Sequence, residues 1–366
     1  MNQEAIDKAG AGPLISICIA TYKRADELRE SLARISRQTL GAEKIEVVIS
    51  DDGSPDNTPE VVAQAQADYK MSIIYYRQAN RGNVGYTQNR GIERATAPLL
   101  LLIPDDVWLE PDAVAHHVEA HQKQPEPEVA FLGQVLQAPE LNQTAYLRNW
   151  DPFQFRSLKK NIELPYYMFW ACHVSCKREF MLHHGMFRET LGRASHAANE
   201  DMETGYRLFK NGGLRIFYLS EARAYHYHVT TMEEELKRTY GRGINFHELR
   251  EHVPNPEIAV RYHILTSYTL NDHIDALFGP RSRYLMDSER NVVKLLFQHL
   301  VRAIAFNGLT VDYFWMPVLK AAEHIPAIER LLNYQVYRGV NFYYYLKGVR
   351  RGYKDIVAGA TSLASK

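Results

Sequence analysis

Two adjacent carboxylates, Asp105 and Asp106, stand directly after a run of apolar residues and are the first candidates for chemistry in this sequence. The run, residues 99–103, is typical of a strand that is buried on both faces. Ligands of open α/β sheets bind at the carboxyl ends of such strands, and clustered carboxylates suit a hard divalent cation that carries a phosphate. Taken alone, the two acids are explained equally well as a solvated turn.

Polar residues also follow two earlier apolar runs, residues 14–20 and 46–50, whose β-branched content predicts buried strands. Strand and helix patterns alternate through residue 125 with short connections, which predicts a doubly wound, mostly parallel sheet. The carboxyl ends of parallel strands gather along one edge of such a sheet. We therefore expect one crevice to collect five side chains that are distant in the sequence. They are Tyr22, Asp51, Asp52, Asp105 and Asp106.

Two further polar groups stand later in the same α/β pattern. Glu200 and Asp201 precede a stretch with helical apolar spacing, so both are expected in the first turn of a helix. The helix dipole favours acidic side chains there, which explains them without a catalytic role. His226 and His228 close a predicted strand, and histidines that merely end a strand are the corresponding alternative.

The composition argues against a nucleic acid partner and for a reducing compartment. Lysine plus arginine and aspartate plus glutamate balance at 43 each, so no global field indicates a nucleic acid partner. The three cysteines, Cys18, Cys172 and Cys176, are odd in number and lie in apolar segments, which favours buried thiols in a reducing compartment. A disulfide framework is not expected, and no second ligand pair accompanies Cys172 and Cys176 to form a zinc site.

The chain of 366 residues is expected to contain two domains. Residues 1–12 are small and polar, and we expect a flexible tail there without a secretory signal. The α/β pattern covers residues 13–230, and residues 231–366 carry helical patterns alone. No run approaches the ~18 apolar residues of a transmembrane helix, so we expect a cytoplasmic protein.

Residues 330–366 interleave tyrosines with basic side chains. A basic, aromatic helix can lie on an anionic membrane, which would give peripheral contact at the inner face of the membrane. Packing against the α/β domain, or against a second copy in a homo-oligomer, explains the same composition. The sequence leaves these alternatives open.

An ordered set of motifs resembles family-2 glycosyltransferases over about residues 13–230. The acidic run of residues 51–56 is the most specific single piece. The resemblance implies a GT-A fold and transfer of a sugar, with inversion, from a nucleotide diphosphate donor. The matching motifs, in chain order, are residues 19–24, 47–58, 80–92, 104–108, 185–187, 199–201 and 224–228.

The resemblance assigns chemical roles to individual residues. Catalysis falls to Glu200 and Asp201, of which we favour Asp201 as the general base that takes the proton of the attacking hydroxyl. A divalent metal, Mn²⁺ or Mg²⁺, would act as a Lewis acid on the departing diphosphate. Its ligands would be Asp105 as the main one, Asp106 and His226, with His228 a second histidine candidate. The residues implied to bind the donor nucleotide are Thr21, Tyr22, Arg24, Asp51, Asp52, Arg81, Asn89 and Asp105.

The sequence departs from the family pattern beside the acid pair. Ile103 stands in place of the first Asp of the Asp-x-Asp motif, which removes one contact to the ribose or to the metal. Lys23 stands where the family usually has Asn. Lys23, Arg24 or Arg81 could supply positive charge to the diphosphate instead.

The sequence therefore predicts an inverting glycosyltransferase that uses a UDP- or dTDP-type sugar. The acceptor would be the hydroxyl of a glycan, a lipid-linked molecule or another compound, in the synthesis of a surface glycan or polysaccharide. The alternative is a catalytically impaired nucleotide-sugar-binding or scaffold protein of the same fold, for which Ile103 is the support. A nucleotidyltransferase is a weaker interpretation, because the first strand–helix turn lacks a basic, glycine-rich triphosphate loop.

Overall fold

The computed structural model describes residues 12–141, 143–149, 155, 158, 162–191, 199–253 and 292–364. The described residues divide into two compact units. Those within Met1–Ala138, Phe153–Arg193 and Glu200–His228 form the first unit, and those within Pro139–Pro152, Ala194–Asn199 and Val229–Lys366 form the second. The second unit is helical, as expected for the C-terminal region.

The described part of the first unit is built on a sheet of nine strands in the order β3-β2-β1-β4-β8-β6-β9-β5, with β7 beside β9. β1, β2, β3 and β4 run parallel to their neighbours among these four, whereas β8 runs antiparallel to β4 and to β6. The strands are β1 (Ile15–Thr21), β2 (Ile45–Asp51), β3 (Ser72–Arg77), β4 (Leu99–Pro104), β5 (Val107–Leu109), β6 (Val129–Gln137), β7 (Glu163–Leu164), β8 (Val174–Lys177) and β9 (Arg215–His226).

Helices follow most of the parallel strands and recur alone in the second unit. They are α1 (Ala25–Ile35), α2 (Thr58–Asp68), α3 (Val84–Arg94), α4 (Ala113–Lys123), α5 (Ala145–Asn149), α6 (Arg178–His184), α7 (Glu200–Gly212), α8 (Met232–Ile244), α9 (Phe246–His252), α10 (Val292–Ala305), α11 (Gly308–Thr310), α12 (Met316–Ala322), α13 (Pro326–Leu331) and α14 (Tyr334–Ala364). A π-helical segment, Val311–Trp315, joins α11 to α12. None of the helices in the described ranges combines the length and apolarity that crossing a bilayer requires.

The predicted buried strand at residues 99–103 is β4, which lies between β1 and β8 with its leucines at the centre of the sheet. Leu100, Leu101 and Leu102 are fully buried because helices or neighbouring segments cover both faces of the sheet. The predicted α/β class is confirmed. The parallel register extends from β3 to β4, and the insertion of antiparallel β8 next to β4 makes the whole sheet mixed.

Strand register aligns the carboxyl ends that carry the candidate residues. Thr21 at the end of β1 pairs with Asp51 at the end of β2. Ala20 pairs with Pro104 at the end of β4. The residues that follow these three strands therefore emerge at the same height along one edge of the sheet, as the alternation of strands and helices predicted.

The second unit holds two helices at very short distance. A Cβ atom at Gly243 of α8 would collide with the carbonyl oxygen of Tyr345 in α14, and one at Gly348 would collide with the carbonyl oxygen of Tyr240. Only glycine permits this approach, because any larger residue would push the two backbones apart. Helix α5 joins the same unit through Glu323, whose carboxylate accepts from the Ala145 and Tyr146 amides at 2.7 and 2.9 Å.

Candidate active site

Asp105 and Asp106 form the turn between β4 and β5, and the structure buries both side chains. They are 3% and 4% exposed, which shows that the solvated-turn interpretation is wrong. The short strand β5 pairs antiparallel with the end of β9, and Val107 lies opposite His226. This pairing carries the acid pair to the end of β9, where the two histidines stand.

Arg24, three residues beyond β1, neutralises the buried acid pair. Its guanidinium donates to Asp105 at 3.2 Å and also forms an ion pair with Asp106. A further guanidinium nitrogen lies 3.3 Å from Nδ1 of His228. Thr21 donates its hydroxyl to the other Asp105 oxygen at 2.7 Å, so both oxygens of Asp105 have protein donors.

The two carboxyl groups respond differently to the same burial. Burial and the neighbouring charge of Asp106 raise the pKa of Asp105 to about 7. Burial would also raise the pKa of Asp106, but His226, His228 and Arg24 hold it well below its ordinary value. Asp106 is therefore the anionic member of the pair, which is the form that a cation requires.

Asp106, His226 and His228 together make a candidate metal centre. Asp106 Oδ2 lies 3.6 Å from His226 Nε2 and 3.2 Å from His228 Nδ1. Their candidate ligand atoms lie within 4.8 Å of one another, and the two imidazole rings stack at 5.2 Å between centroids. Nε2 of His228 is buried without a hydrogen-bond partner among the described residues. A carboxylate with two imidazoles, one of them carrying an orphaned nitrogen, fits a divalent transition metal.

This grouping differs from the expected ligand set in one member. Asp105, which we favoured as the main ligand, is held by Thr21 and Arg24, and the described residues place Asp106 with the histidines instead. The reason is the chain reversal into β5, which leaves Asp106 next to the strand that pairs with His226. His228, the second histidine candidate, joins the group because it lies two residues beyond His226. In an extended chain, side chains two residues apart point to the same side.

Asp51 and Asp52 lie at the expected edge, but protein groups occupy their oxygens. Asp51 is fully buried and accepts from the hydroxyl of Tyr75 at 2.6 Å and from the Ser54 amide at 2.8 Å. Asp52 accepts from the Gln78 side chain at 2.8 Å and from the Gly82 amide at 2.9 Å. In the described structure both acids therefore hold the segments at the carboxyl edge of the sheet in place.

Tyr22 and Arg81 are the exposed members of the expected donor set. The Tyr22 ring is 42% exposed directly beyond β1, and the ammonium of Lys23 lies 5.8 Å from the ring centroid. The amide of Arg81 donates to Asp52 at 3.1 Å, while its guanidinium lies over the Tyr86 ring at 4.3 Å. An aromatic face and two cations thus stand at the carboxyl edge, accessible to a ligand.

Asn89 lies beneath the surface, where its amide holds a neighbouring segment. It is 2% exposed, and its side chain both donates to and accepts from the backbone of Phe187 at 2.9 Å. It also donates to Glu189 at 3.0 Å. With its amide engaged in this way, Asn89 positions the chain at residues 187–189.

Glu200 and Asp201 begin α7, as the apolar spacing predicted. The Asp201 carboxylate accepts from the Ala171 amide at 3.2 Å, and burial together with the charge of Glu200 raises its pKa to about 8. Burial raises the pKa of the Cys172 thiol, and the carboxylates of Asp201 and Asp106 add to that shift. The start of α7 and the candidate metal centre therefore both lie within electrostatic range of Cys172.

Sequence reasoning missed several residues that hold the site in place. Glu203 is fully buried in α7 and accepts from Arg188 at 3.0 Å and from Arg207 at 2.7 Å, which anchors the helix that carries Asp201. The helical spacing, which turns Glu203 toward buried positions, was the available signal. Ser54 accepts from the Lys23 amide at 3.0 Å. Lys23 has a φ of +59°, a left-handed backbone conformation that the sequence pattern did not predict.

The three cysteines are free thiols. Cys18 and Cys176 are buried, and Cys172 is half-buried. The expectation of thiols without a disulfide framework is confirmed. Cys176 contacts the sulfur of Met181 at 3.8 Å, which identifies it as a member of the core.

The chain is similar in sequence to known glycosyltransferases over part of its length. Residues 16–191 match the family model described as glycosyl transferase family 2. Validoxylamine A glucosyltransferase of Streptomyces hygroscopicus subsp. jinggangensis is 31% identical over 226 residues, covering 55% of this chain and 52% of that protein. Chondroitin synthase of Escherichia coli is 26% identical over 274 residues, covering 66% of this chain and 38% of that protein. The chain spans about half the length of the first curated relatives it matches.

Among solved structures, the chain is similar to the mannosyltransferase PcManGT of Pyrobaculum calidifontis, which was solved in complex with GDP-Man and Mn²⁺. The TM-score is 0.53 at 15% sequence identity, and the match covers 94% of this chain and 88% of that one. At this identity the likeness concerns the fold. Together with the mixed sheet and its flanking helices, it confirms the expected GT-A architecture.

Proposed function

We propose that this protein is an inverting glycosyltransferase that moves a sugar from a nucleotide diphosphate donor to an acceptor hydroxyl. The match of residues 16–191 to the model of glycosyl transferase family 2 supports this proposal. One structural observation supports the proposal independently of the sequence match. The carboxyl edge of the sheet collects an exposed aromatic ring, a buried Asp–His–His group and cationic side chains, and the start of α7 adds a carboxyl group with a raised pKa. A donor with a flat base, a diphosphate and a reactive sugar needs these four kinds of contact.

The donor end of the site is proposed to begin at Tyr22. Its exposed ring offers a face for stacking of the nucleobase. The backbone amides of Lys23 and Arg81 donate to Ser54 and Asp52 in the segments that follow β2, and the charges of their side chains favour a diphosphate. We propose a UDP- or dTDP-type sugar, and GDP-sugars are included in the test because the similar mannosyltransferase was solved with GDP-Man.

Asp106, His226 and His228 are the residues that would hold a divalent cation. Two imidazole ligands favour Mn²⁺ over Mg²⁺, because Mg²⁺ binds an all-oxygen shell and Mn²⁺ binds nitrogen more readily. A cation bound there would act as a Lewis acid on the diphosphate. Asp105, held by Thr21 and Arg24, would keep the turn and the arginine in place beside it.

Asp201 is proposed as the general base. As the acceptor oxygen attacks the anomeric carbon, Asp201 takes the hydroxyl proton, and the bond between that carbon and the diphosphate oxygen breaks on the opposite face. A single displacement of this kind inverts the anomeric configuration. The raised pKa of Asp201, about 8, suits a base that must accept a proton from an alcohol near neutral pH. Glu200 keeps that pKa high by repulsion.

The acceptor is proposed to be a hydroxyl of a glycan, a lipid-linked molecule or a related compound, in surface glycan or polysaccharide synthesis. The relatives named above include a chondroitin synthase, which supports a glycan product. Most of the loop of residues 142–161, which we expected to shape the acceptor site, lies outside the described residues.

The test is a panel of UDP-, dTDP- and GDP-sugars, with and without Mn²⁺ or Mg²⁺, assayed for binding by calorimetry and for donor hydrolysis and transfer. We expect Mn²⁺-dependent turnover, a product of inverted anomeric configuration by NMR, and loss of turnover with retained donor binding in Asp201→Asn. Asp68→Asn, an exposed acid on α2, is the matched control and should behave as wild type. Full activity of Asp201→Asn would refute the base assignment.

Donor binding without turnover in the wild type, across all acceptors tried, would instead favour the catalytically impaired binding protein. Ile103 supports this alternative, because it stands where the acid motif of the family has its first carboxylate. An active transferase and a binding protein without turnover can be distinguished, because calorimetry measures donor binding and the assays of hydrolysis and transfer measure turnover.

A further inference from the structure

Helix α10 of the second unit exposes a continuous apolar stripe. Six of its side chains recur at intervals of three and one residues, which places them on a single face of the helix. Their exposed fractions run from 43% at Val301 to 78% at Val293. The apolar stripe consists of Val293, Leu296, Phe297, Leu300, Val301 and Ile304.

The stripe belongs to a helix that is fixed at its carboxyl end. The indole of Trp315 donates to the carbonyl of Ala305 at 2.7 Å, and the Trp315 ring stacks on Phe306 at 5.6 Å between centroids. The guanidinium of Arg302 lies 4.7 Å from the centre of the Phe342 ring in α14. The helix thus packs against its own unit through one side and presents the other side to its surroundings.

Aromatic residues extend the exposed apolar surface just beyond the helix. Tyr313 is 80% exposed and Phe314 is 56% exposed, and Leu309 is also exposed. Tyrosine and phenylalanine next to an apolar face are typical of surfaces that meet the interface between water and lipid. A large exposed apolar surface often marks an interaction site.

Exposed basic residues of the same unit favour an anionic lipid surface as the occupant of the apolar stripe. Arg302 of α10 lies over the Phe342 ring, on the side of the helix that packs against its own unit, and the next charged residue, Asp312, is an exposed acid. Helix α14 of the same unit exposes four basic residues at intervals of three and one, of which Arg351 pairs with Asp355. They are Lys347, Arg350, Arg351 and Lys354. Anionic lipid headgroups complement the same charges.

We propose that α10 is a peripheral membrane-binding element, in which the apolar stripe enters the headgroup region of an anionic lipid surface and the basic residues of the unit face the headgroups. The occupant is a bilayer surface, and the helix lies along it without crossing it. This proposal is independent of the proposed enzymatic function and does not depend on a donor or metal.

The test is co-sedimentation of the full chain with vesicles of phosphatidylcholine alone and of phosphatidylcholine with phosphatidylglycerol. We expect binding to the anionic vesicles that weakens, without vanishing, as salt rises, since salt screens the charges and leaves the apolar contacts. Leu300→Asp should weaken the partition roughly tenfold or more, because it places a charge in the centre of the stripe. Leu331→Asp is the matched control, the same change at a leucine that is 85% exposed on α13.

The proposal stands if wild type and Leu331→Asp bind anionic vesicles and Leu300→Asp does not. Leu300→Ser is the second variant, used if the aspartate variant does not fold as judged by circular dichroism. Equal binding of all variants, or no binding by the wild type, overturns the proposal. A wild-type dimer in sedimentation velocity that Leu300→Asp separates, without vesicle binding, would assign the stripe to a second copy and also overturn it.

Discussion

Arg24 donates to Asp105 at 3.2 Å and forms an ion pair with Asp106, so a protein cation neutralises the acid pair at the end of β4. The Asp106 oxygen in this ion pair is also the one nearest both histidines. The arginine and a divalent metal would therefore share a ligand, and the two cations are expected to influence each other.

Replacing Arg24 by Gln should destabilise the metal-free protein by about 1–3 kcal/mol, because it leaves two buried carboxyl groups without a compensating charge. The same variant should gain more stability from Mn²⁺ than the wild type does, since the metal replaces the missing charge. Thermal unfolding with and without Mn²⁺ measures both effects. Arg34→Gln, which removes an arginine paired with Glu30 on α1, is the control. A smaller Mn²⁺ effect in Arg24→Gln than in wild type would contradict the shared-ligand interpretation.

Activity should rise with pH as Asp201 loses its proton. Burial and Glu200 raise the pKa of Asp201 to about 8, so the basic form is the minority at pH 7 and kcat/KM should increase toward pH 9. Glu200→Gln should shift this limb to lower pH by removing the repelling charge. A pH–rate profile of both proteins with a fixed donor measures the shift. An identical limb in the two proteins would show that another group controls the rise.

The same pKa predicts a stability effect of opposite sign. A carboxyl group whose folded-state pKa lies above its unfolded value contributes stability at low pH, which is lost as pH rises through the folded pKa. Asp201→Asn should therefore be more stable than wild type at pH 9 and no more stable at pH 4. Urea unfolding at the two pH values tests this. The Ala171 amide keeps an acceptor in the variant, so that hydrogen bond is unchanged.

A buried histidine cluster should make the first unit sensitive to acid. His117 and His121 lie 2.8 Å from the Ser175 hydroxyl, and His117 lies 3.2 Å from His173. Burial lowers the pKa of all three imidazoles, and that of His173 falls from 6.5 to about 4. Lys177 adds to the effect at His121.

Because the unfolded chain takes up these protons first, stability should fall as pH drops below 6.5. His173 alone should cost roughly 2 kcal/mol at pH 5. Urea unfolding at pH 7 and pH 5 measures the loss, and His173→Asn should show a smaller loss than wild type. His116→Gln, at a half-buried histidine on the same helix, is the control and should keep the wild-type dependence. Equal stability of the wild type at the two pH values would contradict neutral burial of the cluster.

Two glycines on α8 should respond in opposite directions to the same change. Gly243→Ala should destabilise the second unit by about 1–3 kcal/mol, because the new methyl group collides with the backbone of α14. Gly241→Ala meets no atom within 4 Å and should stabilise the helix by about 0.5–1 kcal/mol. Chemical unfolding of the two variants measures the contrast. Similar effects at both positions would argue against the close helix pair.

Much of the fold was predictable because it depends on local patterns. The β-branched runs predicted β1 and β2, the leucine run predicted β4, and the apolar spacing placed Glu200 and Asp201 in the first turn of α7. Parallel strands with short connections bring their carboxyl ends to one edge in any protein. That rule was sufficient to predict the edge of the sheet at which the candidate residues lie.

The partners of each acid could not be predicted in this way. Which of Asp105 and Asp106 meets the histidines depends on the reversal into β5 and on its pairing with β9, which joins residues more than a hundred positions apart. The hydrogen bonds that protein groups make with Asp51, Asp52 and Asn89 depend on loops whose conformation no periodicity specifies. By itself, the sequence determined most of the strands, the start of α7 and the edge where polar residues gather, because these follow from local hydrophobic patterns. The tertiary structure alone decided which side chains touch, because long-range pairing sets those distances.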